Sequence, residues 1–273
     1  MSKTFAIIGD PIDHSLSPNI HSAAFRELNL DCSYIAYRIP KGELEDGIES
    51  LKKIKIEGFN VTIPHKVEMM RYLDVMDESC SIIGAVNTVS NKDGILKGYN
   101  TDMDGFLEPF KKRNLKVKDL KILLLGAGGA ARAIIAGFAK EHAQCITIAN
   151  RTLENANNMV KFSNKIGLNA NAIKLDSVGD TAKNYDVIVN ATSVGLKNEP
   201  SPISMDGVNS KTIVYDIVYM PINTDFIKKA KEIGATVIYG YEMLLGQAVR
   251  AFEIWHGMEA PYNAMKKALL GGT

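Results

Sequence analysis

The chain has 273 residues, long enough for one large α/β domain or two smaller ones. Its hydrophobic fraction of 46%, charged fraction of 23% and net charge of +1 are those of an ordinary globular protein, and they offer no field to attract nucleic acid or an anionic membrane. No apolar run approaches the ~20 residues of a membrane span, and Cys32, Cys80 and Cys145 lack the spacing of a disulfide framework or a metal site, so the expectation is a cytoplasmic protein with reduced thiols and no metal.

Short apolar, β-rich runs alternate with helical patterns from end to end, which argues for parallel sheets of βα units. Strands are expected at Phe5–Ile8, Tyr34–Tyr37, Gly58–Thr62 and Ala85–Val89. A helix should begin near Ser17, with Ser17 as its N-cap and Pro18 in its first turn; Ile20, Ala23, Ala24 and Leu28 recur at helical spacing. Around Lys111–Lys121 the chain becomes charged and loses apolar periodicity, as a surface connection would. A buried strand follows at Lys121–Leu125 and runs into the Gly-rich turn Gly126–Ala130 and an Ala-rich helix. Further strands are expected at Cys145–Ala149, Asp186–Asn190, Ile213–Asp216 and Thr236–Ile238, and a last helix at about Met243–His256. Two lobes result, the second inserted between the first and its C-terminal helices.

Strand, Gly-rich turn and helix in that order suit a dinucleotide pyrophosphate. Gly126 permits the tight turn, Gly128 lets backbone approach phosphate, Ala131 lets helix pack on strand, and the helix N-terminus supplies N–H donors. The same turn used only for packing is the alternative. The next strand ends in Asn150-Arg151-Thr152, where an NAD site would carry an acid for the ribose hydroxyls. Arg151 can instead pair with a 2′-phosphate, and Thr152 can add a hydroxyl donor, which points to NADP.

Four segments carry candidate chemistry in and near the first lobe. Ser15-Leu16-Ser17-Pro18 puts two hydroxyls at a helix N-terminus, a favourable place for a carboxylate and also for a plain capping turn. Asn60–Lys66 presents Lys66 just beyond a strand end, where open α/β sheets bind ligands and where a lysine can act as acid or base. Gly84–Val89 and Gly98–Asp102 offer Asn87 and Asp102 to polyol hydroxyls, though each segment alone reads as turn chemistry. Gln247 shares a helix face with Leu244 and Ala251, so its amide needs a partner from the protein or from a ligand.

Together these segments resemble the shikimate dehydrogenase family over almost the whole chain. The motifs are SLSP at Ser15–Pro18, NVTIPHK at Asn60–Lys66, GAVNT at Gly84–Thr88, GYNTD at Gly98–Asp102, GAGGAAR at Gly126–Arg132, NRT at Asn150–Thr152 and NATSVG at Asn190–Gly195, with Met243-Leu244 and Gln247 near the end. The resemblance implies an α/β, two-domain fold. An N-terminal α/β substrate domain (1–101 with the returning C-terminal helices, 239–273) flanks a Rossmann-type NADP-binding domain (102–238). It implies reversible NADPH-dependent reduction of 3-dehydroshikimate to shikimate, within aromatic amino acid biosynthesis.

By the same resemblance Ser15, Ser17, Thr62, Lys66, Asn87, Asp102, Tyr219 and Gln247 surround the substrate, with Lys66 and Asp102 the catalytic pair. The cofactor would be met by Gly126, Ala127, Gly128, Gly129, Ala130, Asn150, Arg151, Thr152, Thr192, Ile217, Gly240 and, on a weaker match, Glu78. Small-molecule ligands, no nucleic acid, no membrane and a homodimer complete the expectation. Two departures stand out: Leu153-Glu154-Asn155 follows NRT where family members often carry a second basic residue, and Met220 stands where Asn is common. A quinate/shikimate dehydrogenase of broader substrate and cofactor range is one alternative reading, and a non-catalytic dinucleotide sensor another.

Overall fold

The computed structural model describes residues 2–271. The chain divides into two compact units, Met1–Thr101 with Leu245–Thr273, and Asp102–Leu244.

The first unit is built on a six-stranded sheet. Its strands are β1 (Lys3–Gly9), β2 (Cys32–Arg38), β3 (Gly58–Val61), β4 (Val75–Met76), β5 (Thr88–Lys92) and β6 (Ile95–Tyr99), in the order β2-β1-β3-β5-β6-β4. Its helices are α1 (Ser17–Glu27), α2 (Leu44–Lys53) and α3 (Glu78–Ile83). β1 pairs in parallel with β2 and β3, as βα units require. Contrary to the expectation of parallel sheets throughout, β5 runs antiparallel to both β3 and β6. The cause is local. Asp93 (φ 53°) and Gly94 (φ 88°) form a two-residue turn with both φ positive, which joins antiparallel strands. The expected strand at Ala85–Val89 accordingly begins only at Thr88. Ala6, Ile8, Phe59, Val89 and Leu96 from the sheet meet Ile48 and Leu51 of α2 in one core.

The second unit carries α4 (Asp102–Lys112), β7 (Lys121–Leu125), α5 (Ala131–Lys140), β8 (Cys145–Asn150), α6 (Leu153–Lys165), β9 (Ala170–Lys174), β10 (Val187–Asn190), β11 (Ile213–Asp216), α7 (Asp225–Ile233) and β12 (Thr236–Ile238). The order is β12-β11-β10-β7-β8-β9, with every pairing parallel. This is the doubly wound arrangement, and its reversal of direction falls between β7 and β10. Both faces of β7 are covered, so Ile122–Leu125 reads as an unbroken apolar run. On one face Phe106 and Phe110 of α4 pack with Phe138 of α5 against Tyr215; on the other Leu123, Ile188 and Val214 meet Phe226 of α7.

The last helices are α8 (Gly240–His256) and α9 (Tyr262–Gly271). From Leu245 onward this segment belongs to the first unit, where α9 packs on α1. Trp255 of α8 is keyed into the sheet. Its Nε1 donates to the Val89 carbonyl at 2.9 Å, and the ring fills the notch left by Gly58, where a Cβ would lie 2.4 Å from Nε1. Among the described residues no helix is long and apolar enough to cross a membrane.

Candidate active site

In the first unit the candidates gather at the carboxyl ends of β1 and β3. Gly9 closes β1 so near the next segment that a Cβ would meet Thr62 Cγ2 at 2.4 Å and the Ile63 carbonyl at 2.8 Å. The turn Thr62–Lys66 is pinned from several sides. Thr62 N–H donates to the Ile8 carbonyl (2.9 Å), Asp10 N–H to the Ile63 carbonyl (2.9 Å), and Val86 N–H to the Lys66 carbonyl (2.8 Å). His65 is fully buried, and its Nε2 contacts the Ile39 carbonyl at 2.7 Å; a carbonyl only accepts, so Nε2 carries the proton. Lys66 is therefore half-buried on a turn with little freedom, flanked by the exposed apolar side chains of Ile63 and Val67.

A chain of buried polar groups crosses the same sheet. α1 begins at Ser17 with Pro18 in its first turn, but Ser17 is not its cap: Leu16 is the N-cap and makes no side-chain cap bond. Ser17 itself is buried inside the first turn, on the side of the buried Tyr34 phenol. Burial pushes the Tyr34 phenol well above its ordinary range, the Ser17 bond opposing, so it stays a donor; it gives its proton to Asn60 Oδ1 at 2.6 Å. Asn60 Nδ2 donates to Thr88 Oγ1 (3.0 Å) and the Asn87 carbonyl (3.2 Å). Asn87 then joins the two remaining motifs: its Nδ2 donates to Thr101 Oγ1 (3.0 Å), and Thr101 N–H donates to its Oδ1 (2.8 Å).

Ser15 Oγ accepts from Ser17 N–H at 3.3 Å. Glu78 is exposed in the first turn of α3, and Gln247 is half-buried on α8. Asp102 follows Thr101 directly, in the second unit, as the first residue of α4, and is 9% exposed.

In the second unit every cofactor candidate lies just past the carboxyl end of a strand. Gly126–Ala130 follows β7, Asn150–Thr152 spans the end of β8, Thr192 follows β10, Ile217 and Tyr219 follow β11, and Gly240 follows β12. The Gly-rich turn fits a pyrophosphate. Gly126 has φ 104°, and a Cβ there would lie 2.8 Å from the Ala191 carbonyl, so only glycine is tolerated. A Cβ at Gly128 or Gly129 would meet nothing within 4 Å, so the turn presents bare backbone to open space. The ten-residue α5 then starts at Ala131 without a side-chain cap, its Ala131 N–H donating back to the Gly128 carbonyl at 3.1 Å. Arg151 and Thr152 are exposed, with Glu154 close by in the first turn of α6.

Beneath this rim lies a carboxylate that the sequence did not mark. Asn190 and Asp216 end β10 and β11 as register partners, both wholly buried. Asn190 Nδ2 donates to Asp216 Oδ1 (2.9 Å) and the Val194 carbonyl (3.0 Å), while its Oδ1 accepts from Thr192 N–H (3.1 Å) and Thr192 Oγ1 (2.6 Å). Asp216 also accepts from Val218 N–H (3.0 Å) and from Thr224 Oγ1 (2.6 Å). Sequence reasoning missed Asp216, Tyr34 and Asn60 as polar hubs; the only signal was a polar residue inside or ending an apolar strand. Among the described residues no cluster of His, Cys, Asp or Glu could hold a metal.

Three family models match the chain: the shikimate dehydrogenase substrate binding domain at residues 7–89, shikimate / quinate 5-dehydrogenase at 110–203, and the shikimate 5′-dehydrogenase C-terminal domain at 240–270. A shikimate dehydrogenase (NADP+) of Nitrosopumilus maritimus is 78% identical over 272 residues, covering 100% of both chains. The shikimate 5-dehydrogenase of Thermus thermophilus, solved with NADP(H) and shikimate, is 34% identical with a TM-score of 0.88, covering 99% of this chain and 100% of its own. The quinate dehydrogenase of Corynebacterium glutamicum, solved with NAD, is 26% identical with a TM-score of 0.93, covering 99% of each.

Proposed function

The chain belongs to the shikimate dehydrogenase family, and from that membership we propose that it is an NADP-dependent oxidoreductase interconverting 3-dehydroshikimate and shikimate in aromatic amino acid biosynthesis. The 78% identity to a shikimate dehydrogenase (NADP+) across the full length carries this reading. The geometry supports it, because the cofactor candidates other than Glu78 all lie at strand ends of one parallel sheet and Lys66 stands on a pinned turn.

When bound, the reduced nicotinamide supplies the hydride. Charge then builds on the substrate's ketone oxygen, and Lys66 donates the proton that neutralises it. Asp102 orients the lysine and accepts from a neighbouring ring hydroxyl, the two groups acting as a coupled pair. Ser15 and Ser17 hold the ring carboxylate, and Thr62, Asn87, Tyr219 and Gln247 serve the remaining polar groups. Gly126, Ala127, Gly128, Gly129 and Ala130 hold the pyrophosphate; Asn150, Arg151 and Thr152 take the ribose with its 2′-phosphate. Thr192, Ile217 and Gly240, beyond the reversal of strand order, meet the other nucleotide half; Glu78 is assigned to the cofactor as well. Residues 1–101 and 239–273 would thus form the substrate domain and 102–238 the cofactor domain, in a cytoplasmic enzyme whose homodimerisation light scattering would test.

A second reading, broader acceptance of quinate and NAD, is favoured by one feature: Glu154 is exposed in the first turn of α6, where it opposes a 2′-phosphate. Absorbance at the nicotinamide band with shikimate or quinate, each with NADP or NAD, separates the two. Turnover mainly with shikimate and NADP supports the proposal. Comparable rates with quinate or NAD favour the broader enzyme, and none with any pair leaves a dinucleotide sensor.

A further inference from the structure

Asp216 takes no part in the proton transfer just described, yet it is wholly shielded from water. Burial pushes its carboxyl up to about 6, against the pull of its bonds to Thr224, Val218 and Asn190. Keeping an acid in so dry a place costs stability, so the connections it makes must account for its presence.

Those connections are three donors on three segments. The Asn190 amide carries the turn that holds Thr192, the Val218 N–H belongs to the stretch from Ile217 to Tyr219, and the Thr224 hydroxyl caps α7. Oδ1 accepts from both Asn190 and Val218 while Oδ2 takes the Thr224 hydroxyl, so one oxygen alone ties the two ligand segments together. The joined segments have little slack elsewhere. A Cβ at Gly195 would lie 2.9 Å from Thr224 Cγ2, and one at Gly240 only 2.4 Å from the Val218 carbonyl and 2.5 Å from that of Ile217.

We propose that Asp216 is a positioning residue for the reaction, locking the turn after β10 to the segment after β11 so that Thr192, Ile217 and Tyr219 are presented as one rigid unit. This rests on the assignment of Thr192 and Ile217 to the cofactor and Tyr219 to the substrate. One carboxylate thereby couples affinity for the reduced nucleotide to affinity for the ring hydroxyls, although it touches neither ligand.

The test is Asp216→Leu, which removes both acceptor oxygens at similar volume, read by fluorescence titration of NADPH, by shikimate KM and kcat, and by thermal unfolding. The expected result is a folded protein whose NADPH Kd and shikimate KM each rise about tenfold or more. Thr224→Val is the control: it removes the hydroxyl that donates to Asp216 Oδ2 and accepts from Ile227 N–H at the start of α7, and it leaves both ligand segments tied through Oδ1, so Tm falls while both constants stay within about twofold. A shift in Tm with unchanged constants in Asp216→Leu, or equal losses in the control, overturns the proposal. Should Asp216→Leu not fold, Asn190→Ser cuts the same link from the other side, and wild-type constants in it overturn the proposal equally. Failure of the wild-type protein to oxidise shikimate would count against the proposed function, while the NADPH titration still reads Asp216.

Discussion

Acidification should weaken the first unit most through His21, with the half-buried His256 beside it shifted by burial in the same direction. His21 of α1 is fully buried, stacked on Tyr34 at 4.5 Å and 5.2 Å from the Trp255 ring, and neither ring nitrogen has a hydrogen-bond partner. Burial, helped by the neighbouring His256, lowers its pKa to about 3. The unfolded chain takes up this proton near pH 6.5, whereas the folded one does not until about pH 3. The stability at stake is fully present above the unfolded value and is lost as pH falls between the two. At about pH 4.5 the loss is two pH units, or about 2.7 kcal/mol, and it hardly changes if the folded value is a unit off.

Asp216 acts in the opposite sense. Its folded pKa, raised to about 6 from 3.8, adds stability as pH falls through that window and removes it as pH rises. A bare acid titration mixes the two effects, so the comparison must be between variants. His21→Phe keeps the stacking surface and removes the titrating nitrogens. Urea unfolding of both proteins, followed by the single tryptophan, reports the unit that holds both His21 and Trp255. Between about pH 7 and about pH 4.5 the variant should lose about 2.7 kcal/mol less than the wild type. Equal losses in the two proteins would refute the reasoning.

Three further substitutions test the site. Lys66→Ala should lower kcat by roughly 10²- to 10⁴-fold while NADP binding persists in a fluorescence titration; near-normal kcat would remove Lys66 from proton transfer. Arg151→Ala should raise the KM for NADP about tenfold, with little effect on NAD and a weaker dependence on salt, whereas Glu154→Gln should lower the NADP value; no change in either would place the 2′-phosphate elsewhere.

The parallel core was readable because strands covered on both faces must be apolar throughout, as Ile122–Leu125 and Val187–Val189 are. β9 and β6 escaped notice for the converse reason: Ala170–Lys174 is an edge strand with no buried residue, and Ile95–Tyr99 mixes apolar and polar positions. The antiparallel pair was nevertheless signalled by Asp93-Gly94, a hairpin dipeptide that the βα rhythm overshadowed. Site residues in contiguous motifs, such as Gly126–Ala130, were legible because one loop does one job. Asp216 was not, because its role depends on the register of β10 against β11 and on Thr224. Ser17 misled because a cap is defined by backbone geometry: the helix starts one residue earlier than a serine cap requires, with Leu16 at the N-cap.

The Trp255 wedge sets an order of events during synthesis. Gly58 and Val89 emerge from the ribosome long before the ring that fills the notch beside them, the Val89 bond spanning 166 residues. At about 5–20 residues per second the gap lasts on the order of ten to thirty seconds. Meanwhile Asp102–Leu244, contiguous in the chain, can complete its own sheet. The first-made strands are then the last to be finished, and during that interval the apolar notch around Gly58 is open to chaperones and to other nascent chains.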